Sequence, residues 1–239
     1  MSVRESIYVI YRPLPATLLT LVLTAIGALA GLLAGTAAAT ALAQRDPGPA
    51  VWDTSNTATL TGTIVADPYP MLLPADGSPG VLLVGVGKIG PPEEVVAMAG
   101  SETSVTGYTL ERDGIRMLEF QSAESTREPP SRGRTTPLEL GTHTIATEIL
   151  DSKCFMGAMK PGNGMGHKAC ATLCIAGGIP PMMSWTDHNG NAHYALLTAT
   201  DGSPMPERYR GLIAERVIVE GNLTSRDGWL WMAISTASR

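Results

Sequence analysis

VTGYTLERDGIRML, Val105 to Leu118, recurs as VEGNLTSRDGWLWM, Val219 to Met232, at a constant offset. Val105 falls on Val219, Gly107 on Gly221, and Arg112-Asp113-Gly114 on Arg226-Asp227-Gly228. Each copy reads as strand, tight turn, strand, because Asp-Gly between two alternating runs is a strong hairpin signal. The correspondence extends upstream. LTGTIVAD (Leu60 to Asp67) and TIATEILD (Thr144 to Asp151) alternate with the period of two expected of opening strands. VLLVG (Val81 to Gly85) corresponds to YALLT (Tyr194 to Thr198), and PEEVVAMAG to PERYRGLIA, as central strand and connecting segment.

Short strands at this density, with one short connector in each copy, predict a mainly β protein of two tandem small barrels, OB-like in strand order. The first is expected over 57–120 and the second over 142–239. Between them, 121–141 is rich in Pro, Ser, Thr and Arg and lacks an apolar period, so it reads as linker, in loop or disorder.

The copies differ in one place. The first carries DPYPMLLPADGSPG where the second carries DSKCFMGAMKPGNGMGHKACATLCIAGGIPP, Asp151 to Pro181. This insert holds all three cysteines and one histidine in the spacing C-x12-H-x2-C-x3-C. Cys170 and Cys174 lie four apart in a run that reads as a short helix stopped at Gly177-Gly178, so they share a face. His167, three before Cys170, is expected to point the same way, with Cys154 arriving from a strand end. Cys154, His167, Cys170 and Cys174 then form a candidate Cys3His site for one zinc or copper ion. The other readings are a disulfide from Cys154 to Cys170 or Cys174, leaving an odd thiol, and a cluster of unmodified thiols. The sequence leaves all three open. Met156, Met159, Met165, Met182 and Met183 surround the insert; thioethers suit Cu(I), and Met also fills irregular gaps. On this reading the first barrel, without an insert, is left with scaffolding or docking.

The pattern D-x-x-C, His, C-x3-C and a Gly stop, carried by Asp151, Cys154, His167, Cys170, Cys174 and Gly177, resembles a bacterial exported-domain family of unknown function. The resemblance covers roughly Thr142 to Thr236 and implies an OB-like barrel. It implies no activity.

At the other end of the chain, Leu14 to Ala43 contains no charged residue. About 20 apolar residues suffice to cross a bilayer. The sequence therefore divides into an N-terminus over 1–13, a transmembrane helix over 14–43 and a polar tether over 44–56. Arg4 and Arg12 precede the helix, which by the positive-inside tendency places the N-terminus in the cytoplasm of a bacterial inner membrane and the barrels in the periplasm. Ala41-Leu42-Ala43 also has the form of a signal-peptide cleavage site, but the apolar run exceeds a signal's usual length of about 7 to 15 residues. Gly27, Gly31, Gly35 and Ala39 recur every fourth residue, a small-residue face on which a partner helix can pack closely.

The 239 residues carry a net charge of -5, which removes the electrostatic case for nucleic acid. No CxxCH is present for c-type haem, and no Walker loop; no Gly-x-Gly-x-x-Gly loop is read after a strand. His143, His188 and His193 read as strand or turn residues, and no Ser-His-Asp set is recognised, so the expectation is a protein without catalysis. Trp229, Trp231 and Tyr194 read as core. The function expected from the sequence is an accessory subunit of a membrane complex, respiratory or photosynthetic, docking on integral membrane subunits through its glycine-faced helix and barrels. The alternative is a periplasmic copper- or zinc-handling protein that uses the Cys/His/Met loop.

Overall fold

The computed structural model describes residues 15–44, 48–126 and 128–239. The expected N-terminus 1–13, with the arginines that set its orientation, lies outside the described residues. Helix α1 spans Ala16–Ala43 and is long and apolar enough to cross a membrane. Its 28 residues, at about 1.5 Å each, exceed the roughly 30 Å hydrocarbon core. Thr20 and Thr24 donate their hydroxyls to carbonyls four residues back, and Thr36 to one three residues back. Those polar groups are therefore satisfied inside the helix, as an apolar surrounding requires.

The remaining chain is mainly β. Strands β1 (Val51–Val65), β2 (Met71–Pro74), β3 (Val81–Val84), β4 (Glu102–Arg112) and β5 (Ile115–Ser125) close a barrel in the order β1-β2-β3-β5-β4. Strands β6 (Leu138–Asp151), β7 (Pro181–Thr186), β8 (Ala192–Ala199), β9 (Arg216–Arg226) and β10 (Trp229–Ser238) close a second in the order β6-β7-β8-β10-β9. Strand for strand the two cycles are the same, and β3·β5 and β8·β10 are the parallel pair in each. Both closing hairpins turn on Asp-Gly with positive φ at each residue: 49° and 82° at Asp113-Gly114, 56° and 80° at Asp227-Gly228. That left-handed pair matches the twist of the flanking strands, and Asp-Gly adopts it at low cost.

Each barrel has its own core, around Ile64, Leu72, Val105 and Leu118 in the first and Ile149, Leu197, Val219 and Ile234 in the second. A third core joins them. Met71, Leu82 and Met117 from the first barrel pack with Leu150, Met182 and Trp229 from the second. The two halves are one compact unit, not two small domains on a linker. The repeated turns supply the clasp, each docking on the opposite barrel. Arg112 lies 4.0 Å over the Phe155 ring and donates to the Phe155 carbonyl at 2.9 Å, while Tyr194 donates to Asp113. In return Trp229 Nε1 donates to the Gly80 carbonyl at 2.7 Å, and the Asp227 carbonyl accepts the Gly80 N–H at 2.8 Å.

Two boundaries move. The stretch expected as tether enters β1 at Val51, which pairs with Glu111 beyond a bulge between Trp52 and Thr57. Asp53 accepts the Ser55 and Asn56 N–H groups there, so a polar run that reads as loop is a bulge inside a strand. The expected linker 121–141 loses its ends to β5 and β6. Its middle is pinned by buried carboxylates: Glu102 accepts the Ser131 N–H and hydroxyl, and Asp227 accepts Arg134 at 2.8 Å and the Thr135 N–H at 2.9 Å. Polar anchoring of this kind leaves no apolar period to read.

Candidate functional site

Asp151 ends β6 with its side chain fully buried, and its two oxygens hold the two halves of the insert. Oδ1 accepts the Cys154 N–H at 2.8 Å, turning the chain into the short π-helical turn Cys154–Ala158. Oδ2 meets His167 Nε2 at 2.9 Å, both side chains being buried. A 3₁₀ turn, Met165–His167, then leads into α3, Lys168–Ala176, which carries Cys170 and Cys174.

The three thiols converge. Their sulfurs all lie within 4.8 Å of one another, with Cys154 Sγ 3.8 Å from Cys170 Sγ. Cys154 and Cys174 are buried and Cys170 half-buried, and no disulfide joins any of them. The cluster can hold a metal ion. Met159 Sδ lies 3.5 Å from Cys170 Sγ, adding a thioether at the open side.

His167 does not complete a Cys3His set. It groups with Asp151 and Cys154, not with Cys170 and Cys174. The helical spacing that predicts a shared face fails because His167 precedes α3, in the 3₁₀ turn, and because Asp151 captures its ring. The disulfide reading is also not realised: the thiols are neighbours and free.

The residue sequence reasoning missed is Lys88, from the first barrel. Its Nζ lies 2.6 Å from Cys170 Sγ and 3.9 Å from Cys174 Sγ. It sits in Gly85-Val86-Gly87-Lys88-Ile89-Gly90, a Gly-x-Gly-x-x-Gly run directly after β3, contrary to the expectation that none follows a strand. No helix opens at the third glycine. Pro91 and Pro92 follow, then the four-residue helix α2, Glu93–Val96. The run is therefore not a dinucleotide loop, which needs a helix N-terminus at that point. Instead it lies on the end of α3: Gly90 N–H donates to the Gly177 carbonyl at 2.8 Å, and a Cβ at Gly177 would meet the Lys88 carbonyl at 1.8 Å. Lys153 ties the same loop from beneath, donating from a buried ammonium to the Gly85 and Gly87 carbonyls at 2.8 Å each and pairing with buried Glu119. The first barrel is thus part of the site.

Charge follows the geometry. The Cys174 thiol is pulled down to about 7, first by the hydrogen bond from Cys154 and further by the Lys88 ammonium. Cys154 is pushed far above the ordinary thiol range by that same hydrogen bond, by burial and by the Asp151 charge. Lys88 is raised, chiefly by its hydrogen bond to Cys170. Between these two, Cys154 holds its proton the more tightly.

No family model, curated protein or solved structure matches the chain. The site therefore has to be read from its own chemistry.

A direct check of the loop's seat is Gly177→Ala. Its methyl collides with backbone and not with a flexible side chain, so the Lys88 loop has to lift from α3. We expect a loss of about 1–3 kcal/mol, the usual cost of overpacking, in denaturant unfolding of the full chain.

Proposed function

We propose that this protein is a membrane-tethered handler of a soft metal ion, Cu(I), held by Cys154, Cys170 and Cys174. The observation that carries the reading is three unpaired sulfurs within 4.8 Å of one another, two of them buried. Thiolate and thioether donors select Cu(I) and zinc among the common metals. Structural zinc is almost always four-coordinate, and here the nearest imidazole faces Asp151. Met159 makes the accessible fourth donor another sulfur, which favours copper. The barrels, closing in the order 1-2-3-5-4, are read as OB-like, and α1 as a retained anchor that places them on the periplasmic face.

The test is anaerobic titration of the reduced full chain in detergent with Cu(I) against a competing chelator. One ion per chain is expected. Cys174→Ser should weaken it by more than the roughly 10–100-fold that loss of a mere outer-shell partner costs. Binding unchanged by Cys174→Ser refutes the site.

A second reading, the accessory subunit, is favoured by one feature of α1. Gly27, Gly31, Gly35 and Ala39 recur every fourth residue along it, a small-residue face on which a helix of an integral membrane subunit can pack closely. Gly31→Leu is expected to abolish co-purification of that subunit from membranes while leaving insertion intact. Undiminished co-purification removes this reading and leaves the metal reading standing.

A further inference from the structure

Lys88 and Cys170 come from different barrels and meet end to end, Nζ to Sγ, at 2.6 Å. A three-thiol metal site does not call for this contact. The Lys88 backbone is seated on Gly177 at the end of α3, and the side chain runs back along that helix to Cys170, seven residues earlier. Lys88 is exposed and Cys170 half-buried, so the pair is open to dissolved oxygen. The separation lies well inside van der Waals contact between nitrogen and sulfur, yet it is too long for a direct N–S bond. It is the span of a single oxygen atom bonded to both.

We propose that Lys88 and Cys170 are the two ends of an N–O–S crosslink that joins the barrels in the oxidised protein. The oxidant is dioxygen. Amine and thiol react with one O2 to give Lys–NH–O–S–Cys and one water. One N–H bond, the S–H bond and the O–O bond break. An N–O bond and an O–S bond form, and the second oxygen leaves as water with the two hydrogens. Nitrogen and sulfur each give up two electrons, and dioxygen takes up all four. A Lys ammonium beside a Cys thiolate has the same composition as the neutral pair, so no further proton is needed. Two equivalents of a dithiol reverse the step, returning amine, thiol and water. The crosslink removes Cys170 from the three-thiol set, so the oxidised protein lacks the proposed copper site and the reduced protein has it. The rival product at this place is a Cys154–Cys170 disulfide, whose sulfurs stand 3.8 Å apart. It would leave Lys88 free and add no oxygen.

Mass spectrometry of the full chain in detergent separates these. Protein held in air-saturated buffer is alkylated with iodoacetamide and digested with trypsin, with and without prior dithiothreitol. The expected product is Asp46–Arg112, uncut at Lys88, joined to Ala169–Arg208. Its mass is the sum of the two peptides, with Cys174 carbamidomethylated, plus one oxygen and minus two hydrogens. Dithiothreitol should abolish it, and it should be absent from Lys88→Arg and from Cys170→Ser. Lys88→Arg retains the cation, and circular dichroism reports whether each variant is folded. Two results overturn the proposal. One is cleavage at Lys88 with Cys170 alkylated in the air-exposed protein, which leaves only a hydrogen bond. The other is Cys170 recovered in a disulfide with Cys154.

Discussion

Asp151→Ala is expected to cost about 2–6 kcal/mol of stability, from about 1–3 kcal/mol for each of the two buried groups it leaves without a partner. The carboxylate is fully buried and accepts from the Cys154 N–H and from His167 Nε2. Without it a backbone N–H near the cysteine cluster is orphaned, which alone costs about 1–3 kcal/mol, and a buried imidazole loses its partner. Both halves of the insert are released together, because one side chain holds both. Asp151→Asn retains an oxygen for the Cys154 N–H and should lose less. Urea unfolding of the full chain measures the loss, and the alkylation rate of Cys154 measures the release. Unchanged stability with an unchanged Cys154 rate would show that the insert is held by other contacts.

Trp229→Ala should be comparably severe, at about 3–5 kcal/mol for a large buried aromatic. Trp229 follows the second Asp-Gly turn, packs in the core shared by the barrels and donates to the Gly80 carbonyl of the first. The effect should therefore reach both barrels. Trp52 reports on the first, Trp185 and Trp231 on the second, and all three signals should move to the same lower denaturant midpoint. A shift confined to Trp185 and Trp231 would mean that the barrels unfold independently and that the shared core contributes little.

The hairpins were legible because Asp-Gly at 113–114 and 227–228 signals a backbone that few other dipeptides adopt. The equivalence of the two sets of strands follows from the repeat. What the repeat does not encode is where an apolar face goes. Val81–Val84 is buried at every position, but a four-residue apolar run reads the same whether its second face meets its own barrel or the neighbouring one. The shared core was invisible for that reason. The cysteine cluster was legible as a set of neighbours, since helix spacing places Cys170 and Cys174 on one face. The place of His167 was not, because a 3₁₀ turn and a buried aspartate decide it. Lys88 was hidden differently: a lysine in a glycine loop reads as solvated charge, and only the seating of that loop on Gly177 brings it to a thiol eighty-two positions away.

X-ray absorption at the copper edge of the reduced, Cu(I)-loaded full chain tests the proposed site most directly. A first shell of sulfur alone, three thiolates with or without the Met159 thioether, is expected, and it should lose one sulfur in Cys174→Ser. A first shell containing imidazole nitrogen would return His167 to the metal and contradict the account.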